Sequence, residues 1–153
     1  MISPLDFRQM ALHFGHMPPP AISLVEFPYA DNLRVADLLC RGIPARALRG
    51  LASALGLTVP QLATAVMIPR RTLERRVADN ALLKIGEAER AVRLGRLYAQ
   101  AASVFEDPEA AAEWFSEPIP ALGGKTPLEL CATEPGAREV EQTLGRIEHG
   151  VFA

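Results

Sequence analysis

The stretch PRRTLERRVAD, residues 69–79, holds four arginines within seven positions and a threonine among them. A guanidinium is a planar fork of donors that pairs with guanine O6 and N7 or bridges phosphate oxygens. A threonine hydroxyl can meet either target. At helical spacing Leu73 and Val77 share one side of the stretch. That leaves Arg70, Arg71, Thr72, Glu74, Arg75 and Arg76 on or beside the opposite side. The chemistry is recognition of a polyanion, and Arg70, Arg71, Thr72, Arg75 and Arg76 are the candidate DNA-binding residues. Surface helices often carry arginines as a plain solvated face, but four in seven directly after a turn favour DNA over that reading.

Such a helix needs a partner to present it. Upstream, Thr58 is followed three residues later by Gln61, a capping box that tolerates Pro60 in the first turn. Leu62, Ala63 and Val66 form the inner face of the short helix that follows, and Met67-Ile68-Pro69 breaks it. Two short helices so briefly connected make a helix-turn-helix, whose second helix enters the major groove. Glycine is common at that turn; Met67 stands there instead and puts the turn geometry in question.

Charge supports the same division. Residues 1–40 carry a net −2, residues 41–100 a net +7 and residues 101–153 a net −7, which the overall −2 conceals. A basic module suits an anion and an acidic one suits a different partner. Two separated cysteines, Cys40 and Cys131, read as small semi-buried thiols in a reducing cytoplasm. The N-terminus has no basic-then-apolar leader layout, and the longest apolar runs, such as Leu62 to Ile68, fall far short of the ~18 residues of a membrane span. No membrane association is expected. His13 and His16 lack a ligand cluster, and no nucleophile–base constellation emerges, so neither a metal site nor an enzyme is expected. GGKTP imitates the end of a phosphate-binding loop. Ile119 occupies the position that needs the first glycine, however, and a loop leading to a Thr126-capped helix accounts for the residues.

The remaining pattern predicts an all-α fold. GHMPPPA and EFPYADN mark residues 1–31 as an N-terminal extension, partly irregular. From Asn32, Leu33, Ala36 and Leu39–Cys40 share a face; Leu48, Leu51, Ala52 and Leu55 form a stripe closed by Gly56. A long helix over residues 82–107 buries Leu94, Leu97, Tyr98, Ala101 and Phe105. Asp107-Pro108 starts another helix, anchored by Trp114 and Phe115. Thr126-Pro127-Leu128-Glu129 is a second capping box. The final helix is expected from Gly136 to His149, with Val140, Leu144 and Ile147 inward. After it, His149 suits the helix dipole, Gly150 the left-handed cap and Val151 the fold-back contact. Phe152 has no part in that cap, and a terminal aromatic is well shaped to enter another protein's pocket.

The C-terminal third resembles the toxin-binding domain of Xre/MbcA/ParS-type antitoxins, on Trp114, PALGGKTPLEL, GAREVE and the closing LGRIEHGVFA. GIPARALRGLASALGL, RRTLERR and AERAVRLGRLYAQAASVFED resemble that family's Xre-like DNA-binding half; Ala88 stands where a serine is expected. The resemblance spans about residues 42–153. It implies an Xre-like helix-turn-helix domain over residues 32–105 followed by a small helical toxin-binding domain over residues 106–153. It further implies the antitoxin of a type II pair that inhibits a RES-domain, NAD⁺-consuming toxin and represses its own operon. NAD⁺ is then the partner's substrate, and this chain needs no cofactor. Arg146, His149, Gly150, Val151, Phe152 and Ala153 become the toxin-binding residues, operator DNA the second partner, and a homodimer the default for a two-half-site operator. The alternatives are a stand-alone regulator without a toxin and an adaptor that has lost DNA binding.

Overall fold

A computed structural model describes residues 21–150. The expectations for the triple proline, His13 and His16, and for Val151, Phe152 and Ala153, lie outside those residues. The described chain is helical: α1 (Asn32–Arg41), α2 (Ala47–Leu55), α3 (Val59–Ala65), α4 (Arg70–Ala78), α5 (Ile85–Phe105), α6 (Pro108–Phe115), α7 (Pro127–Leu130) and α8 (Glu134–Glu148), with a 3-10 turn at Pro120–Leu122. Among the described residues no helix is long and apolar enough to cross a membrane.

Local chemistry sets most of the boundaries. Both capping boxes form, with the Thr58 and Thr126 side chains accepting from the Gln61 and Glu129 amides while Gln61 and Glu129 accept from the threonine amides in return. Asp107 accepts from the Glu109 amide at the start of α6. Gly56, at φ +65°, closes α2 in the left-handed conformation. The GGKT segment is a closed loop in which Gly123 and Gly124 both take positive φ and Ile119 bonds Lys125 and Gly124 through its backbone.

Three boundaries or faces differ from the sequence expectation, each through a contact from elsewhere in the chain or a cap that lies further upstream. α5 begins at Ile85, because Ala81 to Leu83 pair extended with the backbone of Ile43 and Ala45 (Ala45 N–H to Ala81 O and Leu83 N–H to Ile43 O, both 2.8 Å). α8 begins at Glu134, two residues before Gly136, since the Thr133 hydroxyl accepts from the Gly136 amide and Pro135 fits the first turn. On α1 the packed side chains are Val35, Leu38 and Leu39; Leu33 is 85% exposed, and Ala36 and Cys40 face solvent. Cys40 is thus an exposed thiol, whereas Cys131 is fully buried.

α5 is the central post of the molecule. α6 and α8 pack on it, α2 packs on α6, and α1 also contacts α5. Tyr98, Phe105, Trp114 and Phe115 form an aromatic cluster where α5 meets α6, with Trp114 and Phe115 edge-on at 5.6 Å between centroids. Burying rings of this size supplies much of the driving force available to a chain with few aromatics. The last part of the N-terminal extension is integral to the core: Leu24 is fully buried and Phe27 nearly so. Gly95 makes this possible, because any side chain there would strike the Tyr29 hydroxyl and crowd the Leu24 carbonyl. The Tyr29 hydroxyl donates to that same carbonyl, and burial pushes its pKa up.

Candidate functional site

α3 and α4 form the helix-turn-helix. Val66 ends α3, Met67 takes φ +52°, and Ile68 is buried. The Ile68 amide donates back to Ala63 O at 3.0 Å and the Met67 amide to Thr64 O at 3.2 Å. This bond pair is the Schellman closure, with Met67 in the left-handed position that usually belongs to glycine. The turn is therefore of the ordinary kind despite its unusual residue. α4 repeats the device at its own end, where Asn80 takes φ +51° and the Ala81 amide reaches Arg76 O at 2.9 Å.

The five candidate DNA contacts separate into distinct placements. Arg71 and Arg75 are exposed and form no ion pair among the described residues. Arg70 is exposed and pairs with Glu74 one turn on, Nε to Oε1 2.8 Å. Exposed i,i+4 pairs of this kind stabilise by only a few tenths of a kcal/mol, so Arg70 remains free to exchange partners. Thr72 is half-buried beside them. Arg76 is placed differently from the other four. Its side chain is 13% exposed and turns into the body to pair with Glu87 of α5, itself 12% exposed. The long, flexible stem lets an arginine on the rim of a helix choose either direction, and the buried carboxylate decides it.

Other arginines of the basic segment also serve as internal struts. Arg90 of α5 donates to Val66 O (2.6 Å) and Met67 O (3.3 Å), gripping the turn itself. Arg46 donates to Val77 O (3.1 Å) and Ala78 O (3.4 Å) at the C-terminus of α4. Arg93 donates to Cys131 O (3.3 Å) and Ala132 O (3.2 Å), tying α5 to the end of α7. Burial lowers the Arg93 pKa and pushes the neighbouring Cys131 thiol up to about 12. Each guanidinium meets carbonyls at the C-terminal end of a helix, where positive charge is favoured. Sequence reading missed these three roles because no local pattern distinguishes a strut arginine from a free one.

In the acidic half, α8 packs on α5, buries Val140 and Leu144, and leaves Arg138, Glu141, Gln142, Arg146 and Glu148 in solvent. His149 caps the helix and is exposed, and Gly150 follows at φ +67°. Arg146, His149 and Gly150 thus lie together at the solvent-facing end of α8, where the chain leads on to the last three residues.

Comparison with known proteins finds two family models along the chain. Residues 36–96 match the antitoxin Xre-like helix-turn-helix domain, and residues 100–150 match the antitoxin Xre/MbcA/ParS C-terminal toxin-binding domain. Among curated relatives, an antitoxin Xre of Yersinia enterocolitica is 39% identical over 94 residues, 61% of this chain and 64% of that protein. A Prs ADP-ribosylating antitoxin of a Sphingobium species is 29% identical over 122 residues, 74% of this chain and 77% of that protein. An antitoxin Xre of Photorhabdus laumondii is 29% identical over 135 residues, 88% of this chain and 91% of that protein. The chain thus spans just under two thirds of the Yersinia relative and most of the other two.

Proposed function

We propose that this chain, which belongs to the Xre/MbcA/ParS antitoxin family, binds and inhibits a RES-domain, NAD⁺-consuming toxin and represses its own operon by binding operator DNA. The observation that carries the reading is the placement of two unlike surfaces on one body. Exposed Arg71 and Arg75, with Arg70 and Thr72, sit on a helix presented by a tight turn, and the solvent-facing end of α8 lies in the acidic half. In this reading residues 32–105 read DNA, residues 106–153 hold the toxin, and residues 1–31 extend the first domain. The protein works in the cytoplasm, as a homodimer on a two-half-site operator.

The toxin-directed residues are Arg146, His149, Gly150, Val151, Phe152 and Ala153, with Phe152 as the anchor that enters the toxin's active site. The RES identity of the toxin rests on the family resemblance of the C-terminal motifs. DNA affinity comes chiefly from phosphate contacts and so falls steeply with salt. Co-expression with the adjacent open reading frame tests the central claim. A stable complex and rescued growth are expected; a toxic neighbour that this chain neither binds nor neutralises overturns the reading.

A further inference from the structure

We propose that Glu87 and Arg76 are positioning residues for DNA recognition: their buried ion pair sets the angle at which α4 is presented, and Arg76 itself touches no DNA. The inference rests on the DNA-binding reading above and deepens it. α4 is a short helix, nine residues from Arg70 to Ala78, whose inward apolar side chains are Leu73, fully buried, and Val77, buried in part. So small an apolar footing fixes a helix loosely about its own axis. A rotation of that axis would swing Arg71 and Arg75 through several ångströms at their tips.

Three polar grips supply the missing definition, each from a different direction. Arg46 holds the last carbonyls of α4, at Val77 and Ala78. Arg90 holds the turn before it, at Val66 and Met67. Glu87 holds Arg76 from the side, and that grip alone acts on a side chain of α4 and so opposes rotation directly. Glu87 and Arg90 stand one turn apart on α5, a helix anchored along its length by α6 and α8. The reading helix is thereby referenced to the helix on which α6, α8 and α1 all pack. Arg76 sits in the basic cluster by sequence but spends its charge on a buried carboxylate.

The pair also makes a prediction opposite in sign to simple electrostatics. Removing a carboxylate from a DNA-binding module ordinarily tightens binding, because a repulsion disappears. If Glu87 positions α4, Glu87→Gln must weaken binding instead.

The experiment titrates the parent chain, Glu87→Gln and the double variant Arg76→Met with Glu87→Met against two duplexes over a range of salt. The first duplex spans the region upstream of the chain's own coding sequence, and the second is a random sequence of equal length. For Glu87→Gln the expected result is about tenfold weaker binding to the upstream duplex, the scale of one lost base-directed arginine. Its binding to the random duplex should be unchanged, and its salt slope equal to the parent's. The double variant replaces the pair with apolar side chains of similar reach, a change that buried pairs often tolerate. It should recover most of the parent's affinity with the same slope, and it carries the test alone if Glu87→Gln fails to fold. Unchanged or tighter binding by Glu87→Gln overturns the inference, as does a slope reduced by about one in the double variant, the mark of a lost phosphate contact. A parent chain that binds neither duplex overturns the DNA reading itself, which is a separate and recognisable outcome.

Discussion

The basic and acidic halves are stabilised by different means. In residues 106–150 the elements are set by side chains bonding to neighbours in sequence: Asp107 to Glu109, Thr126 to Glu129, Thr133 to Gly136. In the helix-turn-helix half the decisive bonds cross between distant elements, with Arg46, Arg76 and Arg90 reaching over 11 to 32 residues. Of the four arginines on α4, only Arg71 and Arg75 are both exposed and without an ion pair among the described residues. A net charge therefore overstates a binding surface: the field of +7 is real at long range, but part of it is committed to holding the unit together.

The largest test of this comparison asks whether the halves are independent. Phe115 is fully buried where α6 meets α5, and α6 also contacts α2 of the other half. Phe115→Ala should cost about 3–5 kcal/mol, the usual range for a large aromatic lost from a core. Denaturant unfolding followed in parallel by helical circular dichroism and by fluorescence of Trp114 should give coincident transitions, both shifted. A fluorescence transition that moves alone would mean that the acidic half unfolds separately.

Function should nevertheless divide where folding does not. Arg71→Ala or Arg75→Ala should weaken operator binding by about 1–3 kcal/mol and leave toxin neutralisation intact. Deleting Val151 to Ala153 should do the reverse, with an unchanged thermal midpoint. Gel-shift titration and growth rescue on the same set of variants check both halves of the claim. Either change abolishing both activities would show that the surfaces are not separable.

Caps offer a smaller comparison on equal terms. Thr58→Ala and Thr126→Ala each remove the side-chain half of a capping box, one in each half of the molecule. Each should cost about 1 kcal/mol, read as a shift in the midpoint of denaturant unfolding. Equal losses would place the difference between the halves in the arginine struts; a much larger loss at Thr126 would place it in the acidic half's local bonding.

What was legible in the sequence follows the same line. The all-α fold, both capping boxes, the Asp107 cap, the Gly56 terminus and the apolar stripes of α2, α5 and α8 are statements about neighbours three or four residues apart, so one sequence suffices to read them. α1 misled because it carries apolar residues on two sides, and only its docking on α5 selects Val35, Leu38 and Leu39 over Leu33 and Ala36. The start of α5 was hidden because pairing with Ile43 and Ala45, some forty residues away, holds Ala81 to Leu83 extended. At the candidate site the sequence placed the arginine-rich helix after the turn but could not say which of its arginines face solvent. Whether a guanidinium turns inward depends on Glu87, which lies on another helix. Gly95 likewise gave no sign that it receives Tyr29.

The smallest expected effect concerns Met67, and its sign is informative. A residue with a Cβ pays roughly 1–2 kcal/mol in the left-handed region, whereas glycine there pays mainly in unfolded-chain entropy, up to about 1 kcal/mol. Met67 is 57% exposed, so its replacement forfeits little burial. The Schellman bonds of the turn use only backbone atoms, and Arg90 holds the carbonyls of Val66 and Met67, not the Met67 side chain. Met67→Gly should therefore leave the turn intact and raise the thermal midpoint slightly, by an amount worth less than about 1 kcal/mol, with DNA affinity unchanged. A lowered midpoint with intact DNA binding would mean that the methionine side chain packs usefully against the shallow surface formed by Pro60, Ala63 and Pro69. A loss of DNA affinity at unchanged stability would instead make Met67 a contact in its own right, and the turn would join α4 as part of the reading surface.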